Sequence, residues 1–328
     1  MILLTGATGF VGNALLKQLM HQPDIDLAIR TYGRCVPVDV NAYCVADPSL
    51  QVSTHVMGEI SAAANYAHAL ADVDVVIHCA AQAHVMKLTV YADDIYWGVN
   101  VEGTLNLARQ ALAAGVRRFI FISSVKVNGE STTNSFPIYH SSKYAPEDDY
   151  GRSKQSAEEG LRNLVTGTSM ELVVIRPTLV YGPGVKANFA SLMNLVSRGI
   201  PLPFGCITQN KRSLVSVTNL VDLIITCINH PKAANQVFLV SDDHDVSTSE
   251  MVREMAKALG KPTWQLPIPI WCYKFVGKLF NKSDVVDRLT GSLQVDIFHT
   301  KDTLDWKPPQ TLQEGFKQTA QAFLQAKN

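Results

Sequence analysis

The run Thr5-Gly6-Ala7-Thr8-Gly9-Phe10-Val11-Gly12, which directly follows the apolar residues Ile2, Leu3 and Leu4, limits this chain more than any other feature. A short apolar strand, a turn with glycines at 6, 9 and 12, and an apolar-periodic stretch at 11–20 describe a strand–loop–helix unit. Glycine at these places permits a tight turn, close approach of backbone to a ligand, and close packing of helix on strand. The amides at the helix start then face outward and suit the phosphates of a dinucleotide. A glycine loop alone is often only a turn, so the strand before it and the helix after it give this one its meaning.

The same alternation continues along the first half. Apolar runs at 27–31, 73–78, 118–123 and 171–175 read as strands, and 99–114 and 153–165 read as helices. Repeated βα units predict an α/β fold of the Rossmann kind, a doubly wound parallel sheet with its ligand crevice at the carboxyl ends of the strands. After Arg176 the texture becomes rich in proline and glycine, as in RPTLVYGPG, PLPFG and QLPIPIW. Residues 1–176 are therefore expected to form the dinucleotide-binding domain, with 214–245 returning to it through apolar runs at 214–217 and 237–240. Residues 177–213 and 246–328 are expected to form a smaller, interleaved C-terminal substrate-binding region, with helices at 188–198, 248–259 and 312–325.

Composition narrows the partners. The 328 residues carry 29 Lys+Arg against 29 Asp+Glu and are 47% hydrophobic, enough for a large core. A cancelled charge gives no general attraction to nucleic acid or to an anionic membrane, so an anionic ligand must be held by a few placed groups. No apolar stretch approaches the roughly 20 residues of a membrane-inserting helix, and no basic leader precedes Ile2. The six cysteines (Cys35, Cys44, Cys79, Cys206, Cys227 and Cys272) form no C-x-x-C pair, the usage of reduced thiols in a cytoplasmic protein. The nine histidines show no metal spacing, and no metal site is expected.

Chemistry enters with Tyr150 and Lys154. Four apart on a helix they project from one face, and the lysine charge is expected to lower the phenol pKa and make the tyrosine a usable acid/base. Tyr139 and Lys143 share that spacing, but Pro146 follows at once and disfavours a helix carrying both. Ser124 stands at the carboxyl end of the strand FIFIS, where its hydroxyl could bond the substrate oxygen that Tyr150 serves. The segment 264–280, WQLPIPIWCYKFVGKLF, is expected to line the substrate region and pack the small domain, because Pro267 and Pro269 interrupt a long amphipathic helix. Contact with a membrane surface or a partner is its alternative.

Together these residues resemble the extended short-chain dehydrogenase/reductase family, the nucleotide-sugar epimerases, dehydratases and reductases. The resemblance spans the chain. It rests on TGATGFVG, VIHCAA at 76–81, Asn100-Val-Glu-Gly-Thr104, the Ser124/Tyr150/Lys154 set, RPTLVYGPG from Arg176, and RSLVSVTNLVD from Arg212. It implies catalysis by Ser124, Tyr150 and Lys154. It implies cofactor contacts from Gly6, Thr8, Gly9, Phe10, Val11, Gly12, Glu59, Ile60, Ala80, Ala81, Asn100 and Pro177, with Lys154 also holding the nicotinamide ribose. Substrate contacts fall to His84, Ser124, Lys126, Asn188 and Phe189, with Arg212 as pyrophosphate clamp and Arg288 as a second. A homodimer through the helices at 99–114 and 153–165 is implied as well.

Two departures from the family pattern stand out. Asn128 replaces the usual tyrosine, and the second strand ends Arg30-Thr-Tyr-Gly-Arg34 with no acid to clasp a ribose 2′-hydroxyl. Arg30 therefore tilts the expected cofactor from NAD toward NADP. The finer resemblance is to enzymes of bacterial surface polysaccharide, the lipopolysaccharide O-antigen included. It implies reduction of a UDP-4-keto-6-deoxy-N-acetylhexosamine to a UDP-N-acetylquinovosamine-type product. The alternatives are a UDP-hexose 4-epimerase (UDP-glucose or UDP-GlcNAc) with retained NAD, and a non-catalytic NADP-binding regulator. With Ser124-Val125-Lys126 where dehydratases place acids, 4,6-dehydration is not expected.

Overall fold

The computed structural model describes residues 1–21, 28–37, 54–83, 96–133 and 136–327. Seven strands build one parallel sheet: β1 (Ile2–Thr5), β2 (Ile29–Gly33), β3 (His55–Met57), β4 (Val75–His78), β5 (Arg118–Ile122), β6 (Glu171–Pro177) and β9 (Gln236–Val240). Their order is β3-β2-β1-β4-β5-β6-β9, every pairing parallel. The predicted doubly wound α/β fold is present.

Alternation along the strands explains why both faces are covered. Ile2, Leu4, Val75, Ile77, Ile120, Ile122, Val173 and Ile175 point to one side, packing on α1 (Phe10–Met20) and on the helix Val217–Asn229. Leu3, Val76, Phe119, Phe121, Leu172 and Val174 point to the other, against Leu107 and Ala111 of α3 (Thr104–Ala113) and Ala157 and Leu161 of α4 (Asp149–Val165). The short helix α2 (Ala67–Leu70) follows β3, and a π-helical turn, Trp97–Gly103, leads into α3. Parallel strands covered twice read as continuous apolar runs, as these do. Each buried Leu, Ile or Phe is worth roughly 1.5–3 kcal/mol, which fixes the strand ends that carry the site.

A second, three-stranded sheet has the order β10-β8-β7, formed by β7 (Leu179–Tyr181), β8 (Arg212–Ser216) and β10 (Asp245–Val246). The apolar run at 237–240 joins the large sheet as β9, but the run at 214–217 does not. The reason is local: β7 leaves β6 after Thr178 and takes β8 as its parallel partner, while β9 occupies the free edge of β6. The chain still returns after β8, because Ser216 caps α6 (Val217–Asn229), which packs on α1 and β5.

A third core joins α5 (Ala187–Ser197), α7 (Thr248–Ala258) and α11 (Leu312–Gln325) around Tyr181, Met193, Met255 and Phe316. Between α7 and α11 lie α8 (Ile270–Leu279), α9 (Ser283–Thr290) and α10 (Phe298–Leu304). As expected, no helix runs through the prolines of the segment 264–280: Pro269 is the N-cap of the ten-residue α8, and Ile270 and Tyr273 pack on the third core. Trp271, Phe275, Leu279 and Phe280 face solvent.

Candidate active site

The glycine loop leaves β1 at its carboxyl end. Gly6 has φ +74°, and a Cβ there would sit 2.6 Å from the Ala80 nitrogen; one on Gly12 would sit 2.2 Å from the Gly6 oxygen. The turn closes through the Gly9 amide, which donates to the Gly6 carbonyl at 2.9 Å. Gly9 is the N-cap of α1, with no side chain capping the helix and no acid in its first turn. The loop is thus packed directly on Ala80 after β4, and its helix start offers backbone amides to an anion.

Beneath it, Thr5 Oγ1 and Thr104 Oγ1 lie 2.7 and 2.9 Å from the two nitrogens of His78. Burial pushes His78 down to about 3, and the Lys154 charge adds to it, so the imidazole is a neutral link between β1, β4 and α3. Asn100, in the π-helical turn, accepts from the Gln82 amide at 2.8 Å and donates to the Gln82 carbonyl and to Ser153 Oγ, both at 3.0 Å. It ties the loop after β4, where Ala80 and Ala81 sit, to α4. These three bonds stay within the protein.

Ser153 in turn donates to the Tyr150 carbonyl at 2.8 Å. Helix α4 starts at Asp149, earlier than the predicted 153, because Asp148 caps it by accepting from the Gly151 amide at 2.7 Å. Tyr150 and Lys154 are therefore on one helix, one turn apart. Lys154 is buried and donates to the Ile122 carbonyl at 2.8 Å, with its ammonium 4.5 Å from the Phe121 ring centre. Burial pushes Lys154 down to about 8, while Cys79 and Glu158 pull it up. Tyr150 departs from expectation: burial, then the Asp148 carboxylate, then Tyr96 raise its phenol. Tyr96 meets it edge-on at 6.4 Å. Tyr139 and Lys143 are on no helix.

The two serines after β5 separate cleanly. Ser123 is buried and donates to Glu158 at 2.5 Å, whereas half-buried Ser124 accepts from the Lys126 amide at 3.2 Å and commits its proton to no acceptor among the described residues. Lys126 itself is occupied by Asp148 at 2.5 Å and Glu130 at 2.8 Å. Burial works against its charge, but these two carboxylates more than offset that and raise its pKa. Two of the three ammonium donors of Lys126 are thus engaged by carboxylates beside Ser124.

Other predicted residues divide. Ile60 packs near Gly103, where a Cβ would meet its Cγ2 at 2.7 Å, while Glu59 is exposed at the carboxyl end of β3 and accepts the Tyr32 hydroxyl at its carbonyl, 3.2 Å away. Pro177 ends β6, paired with Val240. Arg212 opens β8, donating to the carbonyls of Arg288 at 2.7 Å and Gly291 at 3.3 Å, so the two predicted arginines are neighbours. Phe189 does not reach the site. It stacks on Tyr181 at 5.5 Å and Phe316 at 5.8 Å in the third core, because α5 must bury that face. Asn188 belongs to α5, but its side chain, like all of His84, lies outside the described residues.

Arg30 is also corrected. It sits in the amino-terminal half of β2, and its guanidinium donates to the carbonyls of Ala71 at 2.6 Å, Ala69 at 3.1 Å and His68 at 3.4 Å, closing the end of α2. That removes the residue on which the tilt to NADP rested. Arg34, exposed just past the carboxyl end of β2, is the arginine on the crevice side.

The residues that sequence reasoning missed form a buried network. Glu158 accepts from Tyr144 at 2.8 Å and from Arg176 at 2.5 and 3.0 Å, and Arg176 donates to Asn128 at 3.0 Å. Asn128 also donates to the carbonyls of Ser142 and Lys143. The departure at 128 thus has a role, tying Arg176 to the segment before α4. Only the four-residue step from Lys154 to Glu158 could have signalled the network in advance.

The described family "NAD dependent epimerase/dehydratase family" matches residues 2–241. The chain belongs to the NAD-dependent epimerase/dehydratase family. Among curated relatives of this family member, a UDP-glucose 4-epimerase of Vibrio cholerae is 62% identical over 333 residues, covering 100% of this chain and 96% of that protein. An N-acetyl-alpha-D-glucosaminyl-diphospho-ditrans,octacis-undecaprenol 4-epimerase of Escherichia coli O157:H7 is 28% identical, covering 99% and 96%. Among solved structures, UDP-glucuronic acid 4-epimerase of Bacillus cereus with NAD has TM-score 0.77 at 19% identity, covering 100% and 99%. UDP-glucose 4-epimerase of Thermotoga maritima with UDP-glucose has TM-score 0.75 at 21%, also covering 100% and 99%. At these identities the two structures speak for the fold. For an NAD-dependent family member the glycine loop fits: Gly6 and Gly12 let the turn pack directly on Ala80 and on itself, and the start of α1 carries no side-chain cap and no acid in its first turn.

Proposed function

We propose that this chain is a UDP-hexose 4-epimerase that retains NAD, acting on UDP-glucose or UDP-N-acetylglucosamine. The observation that carries this is the whole-length 62% identity to a protein named UDP-glucose 4-epimerase, in a chain with Ser124, Tyr150 and Lys154 all present. It reverses the order expected from sequence, where the 4-keto reductase stood first. That order leaned on Arg30, which is spent on the end of α2.

The nicotinamide, when bound, supplies a reversible two-electron acceptor for the sugar C4. The chain's part is proton handling and orientation. Tyr150 removes the 4-hydroxyl proton and later returns it, and Ser124 bonds the same oxygen. Lys154, anchored on Ile122, faces the cofactor ribose. The amides from Gly9 to Gly12 hold the dinucleotide diphosphate, with Ala80 and Ala81 forming the wall. Arg212, with Arg288 beside it, takes the UDP diphosphate through a permanent planar charge. Within the carboxy-terminal region 177–213 and 246–328, the nucleotide sugar is held at Arg212 and Arg288, and two chains pair through α3 and α4. The product would be a UDP-sugar for surface polysaccharide.

A lipid-linked N-acetylglucosamine diphosphate is a second substrate class, after the E. coli relative, and the solvent-facing aromatic residues of α8 favour it. The deciding experiment incubates purified protein with UDP-glucose or UDP-N-acetylglucosamine without added cofactor and follows the C4 epimer by NMR. Interconversion, with NAD released on denaturation, is expected. No interconversion, together with NADPH-dependent reduction of a UDP-4-keto-6-deoxy-N-acetylhexosamine, would restore the reductase.

A further inference from the structure

Charge in this chain cancels overall but not locally. Residues 261–282 contain Lys261, Lys274, Lys278 and Lys282 and no aspartate or glutamate. All four lysines are exposed. Helix α8 lies inside this stretch and turns Trp271, Lys274, Phe275, Lys278 and Leu279 outward, the spacing of a single helix face. Trp271 is 69% exposed, Phe275 66% and Leu279 68%, with Phe280 at 67% extending the patch.

The opposite face shows that the outward one is held in place. Ile270 and Tyr273 pack on the third core, and Gly277 lies so close to α9 that a Cβ would meet Val286 Cγ2 at 2.7 Å. A ten-residue helix is thus seated by its inner face while presenting aromatic and aliphatic side chains among lysines.

We propose that this face docks on an anionic lipid surface. Trp, Phe and Leu interleaved with Lys is the composition of helices that lie in the membrane interface, where rings enter the acyl boundary and ammonium groups meet anionic headgroups. Self-association is the poorer match, since two copies meeting here would set Lys274 and Lys278 of one against the same lysines of the other. This binding is peripheral: no described helix is long and apolar enough to cross a membrane. The face also neighbours the substrate side. Helix α9 packs on α8 and ends at the carbonyls of Arg288 and Gly291 that hold Arg212. The docking itself does not depend on which sugar is turned over.

The test uses the full chain with vesicles of phosphatidylglycerol and phosphatidylethanolamine, and with vesicles of phosphatidylcholine alone. Co-sedimentation with the anionic vesicles, a blue shift of tryptophan emission, and release by raised salt are expected. The triple variant Lys274→Glu/Lys278→Glu/Lys282→Glu should weaken partition on the order of 100-fold. Trp271→Ser/Phe275→Ser should weaken it at least about 10-fold. Both should keep the wild-type melting temperature and turnover of soluble UDP-sugar, which separates this proposal from the catalytic one. Failure of the wild type to bind anionic vesicles, or equal binding to phosphatidylcholine and by the lysine variant, overturns it. So does a fall in sedimentation coefficient of Trp271→Ser/Phe275→Ser without vesicle binding by the parent, which would make the face a self-interface.

Discussion

Lys154 is anchored on Ile122: its ammonium donates a 2.8 Å hydrogen bond to the last carbonyl of β5, one residue short of the two serines. An ammonium this deep is poorly solvated, and its pKa falls to about 8 from the usual 10.5. The folded protein therefore holds fewer protons than the unfolded chain between these values, so stability rises with pH across that window and the full penalty applies below it.

Lys154→Met should accordingly stabilise the cofactor-free protein near pH 7 by on the order of 1–3 kcal/mol, the lost bond to Ile122 offsetting part of the gain. Urea denaturation at several pH values checks this: the difference between variant and parent should shrink from pH 8 to pH 10.5. Epimerase turnover should be lost at every pH.

Asp148 caps α4 and also raises the Tyr150 phenol, second to burial. Asp148→Asn keeps an oxygen for the Gly151 amide but removes the negative charge. The phenol pKa should fall, and the ascending limb of the kcat/KM profile should move to lower pH by up to about one unit. An unmoved limb would mean that Asp148 does not set the phenol's proton affinity.

Glu158 and Arg176 are both buried, bonded at 2.5 and 3.0 Å. Glu158→Ala leaves a buried guanidinium without its counter-charge and should cost about 3–5 kcal/mol. Arg176→Met combined with Glu158→Ala should cost much less than the sum of the single changes, since the pair goes together. Denaturant midpoints of the four proteins complete the cycle.

Arg30→Ala should lower stability by about 1–2 kcal/mol, because carbonyls at the end of α2 lose their donor, and should leave the ratio of NAD to NADP affinity unchanged. Arg34→Ala should leave stability within about 0.5 kcal/mol, being an exposed change. Calorimetric titration of both dinucleotides, with thermal melts, checks the pair. A shifted ratio in Arg30→Ala would return that residue to the crevice.

What could be read in advance follows the range of the physics. The parallel sheet was legible because β4 and β5 are continuous apolar runs, the mark of strands covered on both faces. The glycine loop and the Tyr150/Lys154 step were legible because turn chemistry and helical spacing are local. Glu158 and Arg176, eighteen residues apart in sequence, form a pair only once α4 lies on β6, and no local pattern encodes that. Arg30 misled because strand position does not say which way a long side chain turns. Phe189 and the run beginning at Leu214 misled because a third core and a second sheet competed for them.

Thr178 is the only residue between β6 of the large sheet and β7 of the small one. The chain crosses back after Ser216 and out again after Val240. Such weaving bears on engineering. A new sugar preference cannot be imported by exchanging one terminal half, since any single cut severs strands from their neighbours. Recombination has to move segments in concert, with breakpoints matched at each crossing, and heat should melt both sheets in one calorimetric transition.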